Sequence, residues 1–274
     1  MNALIFAAGL GTRLKPLTDT MPKAMVPING KPLVQILIEK LKAIGVTEVV
    51  INVHHFSQQI IDFVEANDSF GINIKFSDET DMLLETGGGL KKAAKLFSND
   101  DPILVHNVDI LSNVDLHSFY QNCTSYMVNG TCGASLLVSW RETQRYLLFD
   151  DDNNLVGWTN IATGQVKSPY PELMIHDGEI GNVVPFQAQP NSTLYMVNGK
   201  SYRMFAFSGI QVFNPEILGY MDEWEGKFSI IDFYLSICDK VQIKCCPNDN
   251  LHLLDVGKLD TIAKAEEFLT KNGN

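Results

Sequence analysis

Six consecutive apolar residues, Ala3–Ala8 (ALIFAA), run without a polar interruption into Gly9. A strand with one wet face alternates apolar and polar side chains, whereas an unbroken run stopped by glycine fits a strand covered on both faces. The rest of the first half keeps to that plan. Pro32 opens a helical pattern with Leu33, Ile36, Leu37, Leu41 and Ile44 on one face and Gly45 as its stop. Glu48–Val53 reads as a second strand, Ser57 as the cap of a helix carrying Ile60, Ile61 and Val64, and Ile72–Phe76 as a third strand. The glycines of Glu85-Thr86-Gly87-Gly88-Gly89 are expected to break the chain before a helix over 90–97. Ile103–Val105 is a fourth strand that runs into Asn107-Val108-Asp109. This alternation predicts an α/β fold with a doubly wound, mostly parallel sheet. Ligands in such sheets lie beyond the carboxyl ends of the strands, which singles out the residues after Ala8, Val53 and Val105.

The second half reads differently. Ala134–Ser139, Tyr146–Phe149 and Leu155–Trp158 are short strands, with a turn over Asp150–Asn154 between two of them. Residues 160–202 are rich in Pro, Gly and Asn, and are expected to form a meander or lid inserted in a single domain that spans 1–274. Arg203–Phe213 is a longer strand, followed by helices near Pro215–Met221 and Ile230–Cys238 and a strand leading to Asp255. Leu259, Ile262, Ala265 and Leu269 mark a final amphipathic helix. The expected architecture is therefore one domain with a small β-rich annex.

Charge narrows the partners. Asp and Glu number 32 against 21 Lys and Arg, a formal net charge of −11, which repels nucleic acid and anionic membranes over most of the surface. No apolar run reaches the roughly 18 residues of a membrane span. The N-terminal apolar run has no basic side chain ahead of it, so it reads as a strand rather than a leader. Five cysteines with no C-x-x-C spacing read as buried thiols of a reducing compartment, with the cytoplasm as default. Monomer and homo-oligomer both remain open.

Against that acidic background the N-terminus is basic. Between Met1 and Lys31 the side chains of Arg13, Lys15, Lys23 and Lys31 face one acid, Asp19, a local charge of +3. The four bases surround Gly9-Leu10-Gly11-Thr12, directly beyond the first strand. Glycines there let backbone N–H groups approach a phosphate chain, with Ala8, Gly9, Gly11 and Thr12 as the cradle. The dinucleotide fingerprint is not met, because Leu14 stands where its third glycine belongs and Asn52, Val53 and His54 stand where an acid should close the second strand. The Walker pattern is absent as well. A polyphosphate grip fits better, with Arg13 forking onto phosphate and Lys23 placing a point charge at the reacting phosphorus.

The run Ala7-Ala8-Gly9-Leu10-Gly11-Thr12-Arg13-Leu14-Lys15-Pro16-Leu17-Thr18, followed by Pro22-Lys23-Ala24-Met25-Val26-Pro27 and Gly30-Lys31-Pro32, resembles the signature of the sugar-1-phosphate nucleotidylyltransferases. The resemblance extends from Leu4 to about Leu269. Within the family, Glu48–Asn52, Leu84–Gly89, Phe207–Ile210 and Asp255-Val256-Gly257 are most similar to the N-acetylmuramic acid-1-phosphate uridylyltransferases. Mannose-1-phosphate guanylyltransferases are similar over much the same ground. The resemblance implies the Rossmann-like fold of nucleotide-diphospho-sugar transferases, with an NTP and a sugar 1-phosphate as substrates and Mg²⁺ held by Asp109 and Asp255. It implies that the stretch holding Gly87 and Gly88 lies against the base and sugar, with Glu85 on a sugar hydroxyl. Ser208 and Gly209 resemble its sugar-pocket segment, and Lys227 is a further anchor for the sugar phosphate. Asn52 and His54 face the same edge and border the base, and Asn107 reaches the sugar phosphate or ribose. Trp158, Tyr170, Tyr195 and Tyr202 form a cap over the sugar or an oligomer contact.

One position departs from the pattern: the family's Asn-Gly-Asp is Asn107-Val108-Asp109 here. Valine resists positive φ, so this loop either uses ordinary dihedrals or carries strain. The expected activity is transfer of a nucleoside monophosphate from NTP to a sugar 1-phosphate with release of pyrophosphate, UTP and N-acetylmuramic acid 1-phosphate being favoured. GTP with mannose 1-phosphate is the alternative. A catalytically silent nucleotide-sugar-binding regulator is the alternative of another class, and Val108 is the feature in its favour. A choline-phosphate cytidylyltransferase on the same scaffold also stays open.

Overall fold

The computed structural model describes residues 1–128, 132–173, 182–185 and 193–272. The first half supplies β1 (Asn2–Phe6), the short pair β2 (Pro27–Ile28) and β3 (Lys31–Pro32), α1 (Leu33–Ala43), β4 (Glu48–Val53), α2 (Ser57–Ala66), β5 (Asn73–Asp78), α3 (Glu85–Ala94), β6 (Ile103–Asn107), β7 (Ile110–Ser112) and α4 (Leu116–Met127). The second half adds β8 (Cys132–Ser139), β9 (Arg145–Phe149), β10 (Leu155–Asn160), β11 (Gln165–Lys167), β12 (Asn182–Pro185), β13 (Thr193–Val197) and the long β14 (Lys200–Phe213). It closes with α5 (Ile230–Ile237), β15 (Gln242–Pro247), β16 (Leu253–Asp255) and α6 (Asp260–Asn272).

The four expected strands pair in parallel in the order β6-β1-β4-β5. β1 is buried on both sides, as its unbroken apolar run demands. Ala3 and Ile5 pack into one core with α1, α2, α4 and α6, while Leu4 packs into a second core with α3 and α5. Beyond β6 the sheet changes character, because β14 joins antiparallel and carries β8 and β9 with it. The antiparallel annex β11-β10-β9 continues from there. At Phe207–Gln211 the register of β14 against β8 slips in a bulge, and there the strand passes from the annex into the main sheet.

Several expectations change. Ser57 is the first helical residue of α2 and caps nothing, because the chain enters that helix through Phe56 at φ 53°. The triple glycine does not break the chain; it forms the first turns of α3, which starts at Glu85. The helix expected at Pro215–Met221 is present, in 3₁₀ form. β15 pairs in parallel with β8 and was not expected, its signal being the alternation of buried Ile243 and Cys245. Tyr195 and Tyr202 pack inside the annex with Leu148, Val156 and Met204, and the Tyr170 hydroxyl donates to the Cys238 carbonyl at 3.1 Å. Tyr195 and Tyr202 are annex core and not a cap, and Tyr170 packs half-buried against that core. The segments 174–181 and 186–192 of the expected lid lie outside the described residues. All five cysteines are free thiols. Among the described residues no helix is long and apolar enough to cross a membrane.

Candidate active site

β1 ends at Phe6, and the glycine loop turns over the carboxyl edge of the sheet. Gly11 takes φ 63°, and its carbonyl accepts from the Thr18 hydroxyl at 2.8 Å. A Cβ at Gly11 would stand 2.8 Å from the Thr18 methyl, so conformation and space both demand glycine. Gly9 is different: a Cβ there would meet no atom within 4 Å. The free space beside it belongs to a cavity of about 520 Å³, walled by the loop from Ala7 to Arg13 and by Lys23, Asn52, Glu85 and Asp109 among others.

A buried hydrogen-bond chain holds this loop in place. Asn52 Oδ1 accepts from the N–H groups of Ala7 (2.6 Å) and Ala8 (3.2 Å), and its Nδ2 donates to Glu79 Oε1 at 2.8 Å. Glu79 Oε2 accepts from the Leu84 N–H at 3.0 Å. Asn52 therefore lines the cavity but spends its amide on positioning. Glu79 was missed by sequence reasoning, although an acid just beyond β5 beside Asn52 was its signal.

Charge gathers on the opposite wall. Lys23 sits in a single 3₁₀ turn after Pro22, with its side chain buried. Its ammonium ion-pairs with Asp109 Oδ2 and lies 3.8 Å from Asp255 Oδ1. Arg13 Nη2 lies 3.8 Å from Asp255 Oδ2. Asp109 follows β6, and Asp255 ends β16, which pairs with β7 rather than with the main sheet. The Val256 N–H donates to the Asp109 carbonyl at 2.8 Å, so the backbone itself brings the two acids together. Burial, then the neighbouring Asp109 carboxylate, holds the Asp255 carboxyl above the ordinary aspartate value, against the pull of Lys23 and Arg13.

Val108 is not among the residues with positive φ. Its N–H donates to the Phe6 carbonyl at 3.1 Å, and its side chain packs in the core at 4% exposure. Of the two outcomes expected for this position, ordinary dihedrals is the one realised.

Asn107 links this cavity to a second lobe of about 300 Å³, which Gly209 also lines. Gly209 sits in the bulge at φ 78°, and a Cβ there would stand 2.7 Å from Asn107 Nδ2. Ser208 turns inward and donates to the Leu137 carbonyl at 2.7 Å. Lys227 Nζ lies 3.3 Å from Oε1 of Glu85, a residue of the first cavity's wall. Thr12 lines the cavity, whereas Gly87 and Gly88 stand behind its wall. A Cβ at Gly87 would stand 2.3 Å from the Phe228 ring, and one at Gly88 would stand 2.3 Å from the Gly226 carbonyl oxygen. Both amides donate to the Phe228 carbonyl, at 2.9 and 3.4 Å. Glu85 and Thr86 are the residues of that stretch that face the cavity.

The sequence profile of the nucleotidyl transferase family matches residues 2–272. The chain belongs to that family. Among curated relatives it is 41% identical over 125 residues to the N-acetylmuramate alpha-1-phosphate uridylyltransferase of Neisseria meningitidis, covering 46% of this chain and 54% of that protein. To the mannose-1-phosphate guanyltransferase of Gibberella zeae it is 36% identical over 151 residues, 53% of this chain and 40% of that one. To the UTP–glucose-1-phosphate uridylyltransferase of Synechocystis it is 25% identical over 268 residues, 94% of this chain and 61% of that one. The match spans about half the length of the N-acetylmuramate alpha-1-phosphate uridylyltransferases from Neisseria meningitidis and Caulobacter vibrioides. The fold is that of the inositol-1-phosphate CTP transferase of T. maritima, with a TM-score of 0.69 at 15% identity, covering 100% of this chain and 96% of that one. HddC from Yersinia pseudotuberculosis, solved with GMP-PN, gives 0.65 at 23% identity, covering 97% and 98%.

Proposed function

We propose that the chain transfers a nucleoside monophosphate from an NTP to a sugar 1-phosphate and releases pyrophosphate, with UTP and an N-acetylmuramate 1-phosphate as its pair. The observation that carries the reading is the Lys23 ammonium set against both Asp109 and Asp255 at the mouth of the glycine loop. The nucleophile is a phosphate oxygen already ionised near neutral pH, so the reaction needs no general base, and no covalent enzyme intermediate is required. Catalysis then rests on alignment and on charge placed where charge develops. The open backbone beside Gly9 admits the triphosphate, and Arg13 holds the leaving pyrophosphate. Lys23, fixed by its buried position, sits against the reacting phosphates. Asn107 and Gly209 bound the lobe for the sugar phosphate, and Glu85, paired with Lys227, lines the first cavity beside it.

The acids present a set of oxygen donors only, the kind that Mg²⁺ prefers. Among the described residues no group of three or more His, Cys, Asp or Glu side chains gathers as a metal site, so Asp109 and Asp255 would hold the ion and leave its other positions to phosphate and water. When bound there, Mg²⁺ supplies charge neutralisation and polarisation of the α-phosphate. The raised pKa of Asp255 fits this use, because a carboxylate crowded by another gains from a nearby cation.

The relatives support UTP with N-acetylmuramate 1-phosphate first and GTP with mannose 1-phosphate second. The regulatory reading drew on Val108, which here packs without strain. The test is pyrophosphate release with Mg²⁺ over the four NTPs and a panel of sugar 1-phosphates. Release with UTP and N-acetylmuramate 1-phosphate is the expected result. Release with GTP and mannose 1-phosphate moves the chain to the second reading, and silence with nucleotide still bound overturns transferase activity.

A further inference from the structure

The groove does not end at Gly209. Arg141, Phe207 and Ile231 line both the Asn107–Gly209 lobe and a further chamber of about 520 Å³, which opens between the annex and α5. That chamber is as large as the one beside the glycine loop. Its charged lining comprises Arg141, Arg145 and Lys167 against Asp232. Lys167 and Asp232 neutralise each other at 2.7 Å, with the lysine 5.4 Å from the centroid of the Trp158 ring.

Two guanidinium groups are left. Arg141 Nη2 donates to the Phe207 carbonyl at 2.9 Å, next to the bulge that carries Gly209. Neither Arg141 nor Arg145 forms an ion pair with a carboxylate of the described residues. Asp255 shares the intermediate lobe with Arg141, but its oxygens lie 3.8 Å from Lys23 and Arg13. A chain with 32 acids and 21 bases has carboxylates to spare, yet it places none within ion-pair distance of these two arginines, Asp255 acting on Arg141 only from farther off. The guanidinium fork matches a carboxylate, and Tyr146, Trp158 and Ile231 give the chamber an apolar wall for a short carbon stem.

We propose that this chamber receives a carboxylate carried on a substituent of the acceptor sugar, so that Arg141 and Arg145 select acidic over neutral sugar 1-phosphates. The inference rests on the transferase reading above and adds the residues that set its acceptor. Arg145 lines only the far chamber, away from the lobe assigned to the sugar phosphate, so its loss falls on KM rather than on kcat, whereas Arg141 also borders that lobe.

The experiment compares N-acetylmuramate 1-phosphate with N-acetylglucosamine 1-phosphate, the same ring without the carboxyl-bearing ether. KM and kcat are measured with UTP and Mg²⁺ for the wild type, Arg145→Gln, Arg145→Lys and Arg141→Gln. The wild type is expected to favour the acidic acceptor about tenfold or more in kcat/KM, as loss of a charge-assisted hydrogen bond predicts. Arg145→Gln raises KM for that acceptor by about the same factor, changes the neutral acceptor less than about twofold, and Arg145→Lys restores part of the preference. The Arg145 side chain holds no other group of the described residues, so its variant decides the matter even if Arg141→Gln fails to fold. Equal efficiency on both acceptors in the wild type, or an equal loss on both in Arg145→Gln, overturns the inference alone. A preference for a sugar bearing a second phosphate over the carboxylate overturns it as well and names the other anion. No pyrophosphate with either acceptor under any NTP overturns the transferase reading, and this inference with it.

Discussion

Gly9 and Gly11 follow β1; Gly87, Gly88 and Gly89 open α3, seven residues and more beyond β5. Both clusters stand at the carboxyl edge of the same parallel sheet, and in the sequence both read as backbone opened for a ligand. Gly9 and the α3 glycines use the missing side chain in opposite ways, while Gly11, pressed against the Thr18 methyl, behaves like the latter. At Gly9 nothing occupies the place of a Cβ, so the vacancy faces outward to a cavity. At Gly87 and Gly88 the place is filled by the Phe228 ring and the Gly226 carbonyl, so the vacancy faces inward and lets two segments pack backbone to backbone. Gly89 repeats the second case against Glu79 Oε1 at 2.8 Å. Glycine content alone therefore does not mark a ligand; what fills the space does.

The sharpest separation comes from the charged wall that only the first cluster faces. Lys23→Ala and Asp109→Ala should each lower kcat by about 10² to 10³ or more with the fold retained, read by pyrophosphate release and circular dichroism. Near-wild-type rates in both would remove the chemistry from that side. Gly88→Ala should destabilise the protein by about 3 kcal/mol, measured by urea unfolding, because its Cβ would meet a backbone oxygen that has no rotamer to change. A stable Gly88→Ala protein with impaired nucleotide binding would return that glycine to the ligand.

Acid tests the same edge by another route. His106 is buried beside Asn107, its ring bonded to the Asn107 carbonyl at 2.8 Å, and burial pushes its pKa down to about 4 from 6.5. Between those values the unfolded chain takes up a proton that the folded chain refuses, so this group's contribution is lost as pH falls from about 6.5 to about 4. A shift of that size corresponds to roughly 3 kcal/mol at most. His106→Leu should flatten the acid limb of a stability–pH curve, and an unchanged slope would assign that limb to other groups. The smallest effect is expected at Gly9→Ala: an unfolding free energy within about 0.5 kcal/mol of wild type, with KM for the NTP raised about tenfold. Lost stability without a change in KM would make Gly9 the same kind of glycine as Gly88.

The legible and illegible parts of the chain divide along a related line. Strand runs such as Ala3–Ala8 and the Val49–Ile51 centre of Glu48–Val53 were plain because burial on both faces keeps polar side chains out of the middle of the strand. Arg13, Lys23, Asp109 and Asp255 stood out by charge and position, and the structure brings all four to one wall. Asn52 was found, but its service to Ala7, Ala8 and Glu79 was not, since an amide's partners depend on which strands lie side by side. The roles of Gly87 and Gly88 were hidden for the same reason: the atoms that exclude a side chain come from residues 226–228. Arg141 and Arg145 drew no notice, because the lack of an ion pair is visible only once every neighbour is in place.

The bond from the Val256 N–H to the Asp109 carbonyl has a consequence for the order of assembly. A chain leaving the ribosome presents the glycine loop, Lys23 and Asp109 long before Asp255 exists. The second acid arrives with β16, after the whole intervening annex has been made, and must find β7 across it. The phosphate grip is a local product of the first hundred-odd residues, while the paired carboxylates are a long-range contact. Tight Mg²⁺–nucleotide binding during refolding should thus appear in step with the last native structure to form, and would serve as a clock for completion rather than for collapse.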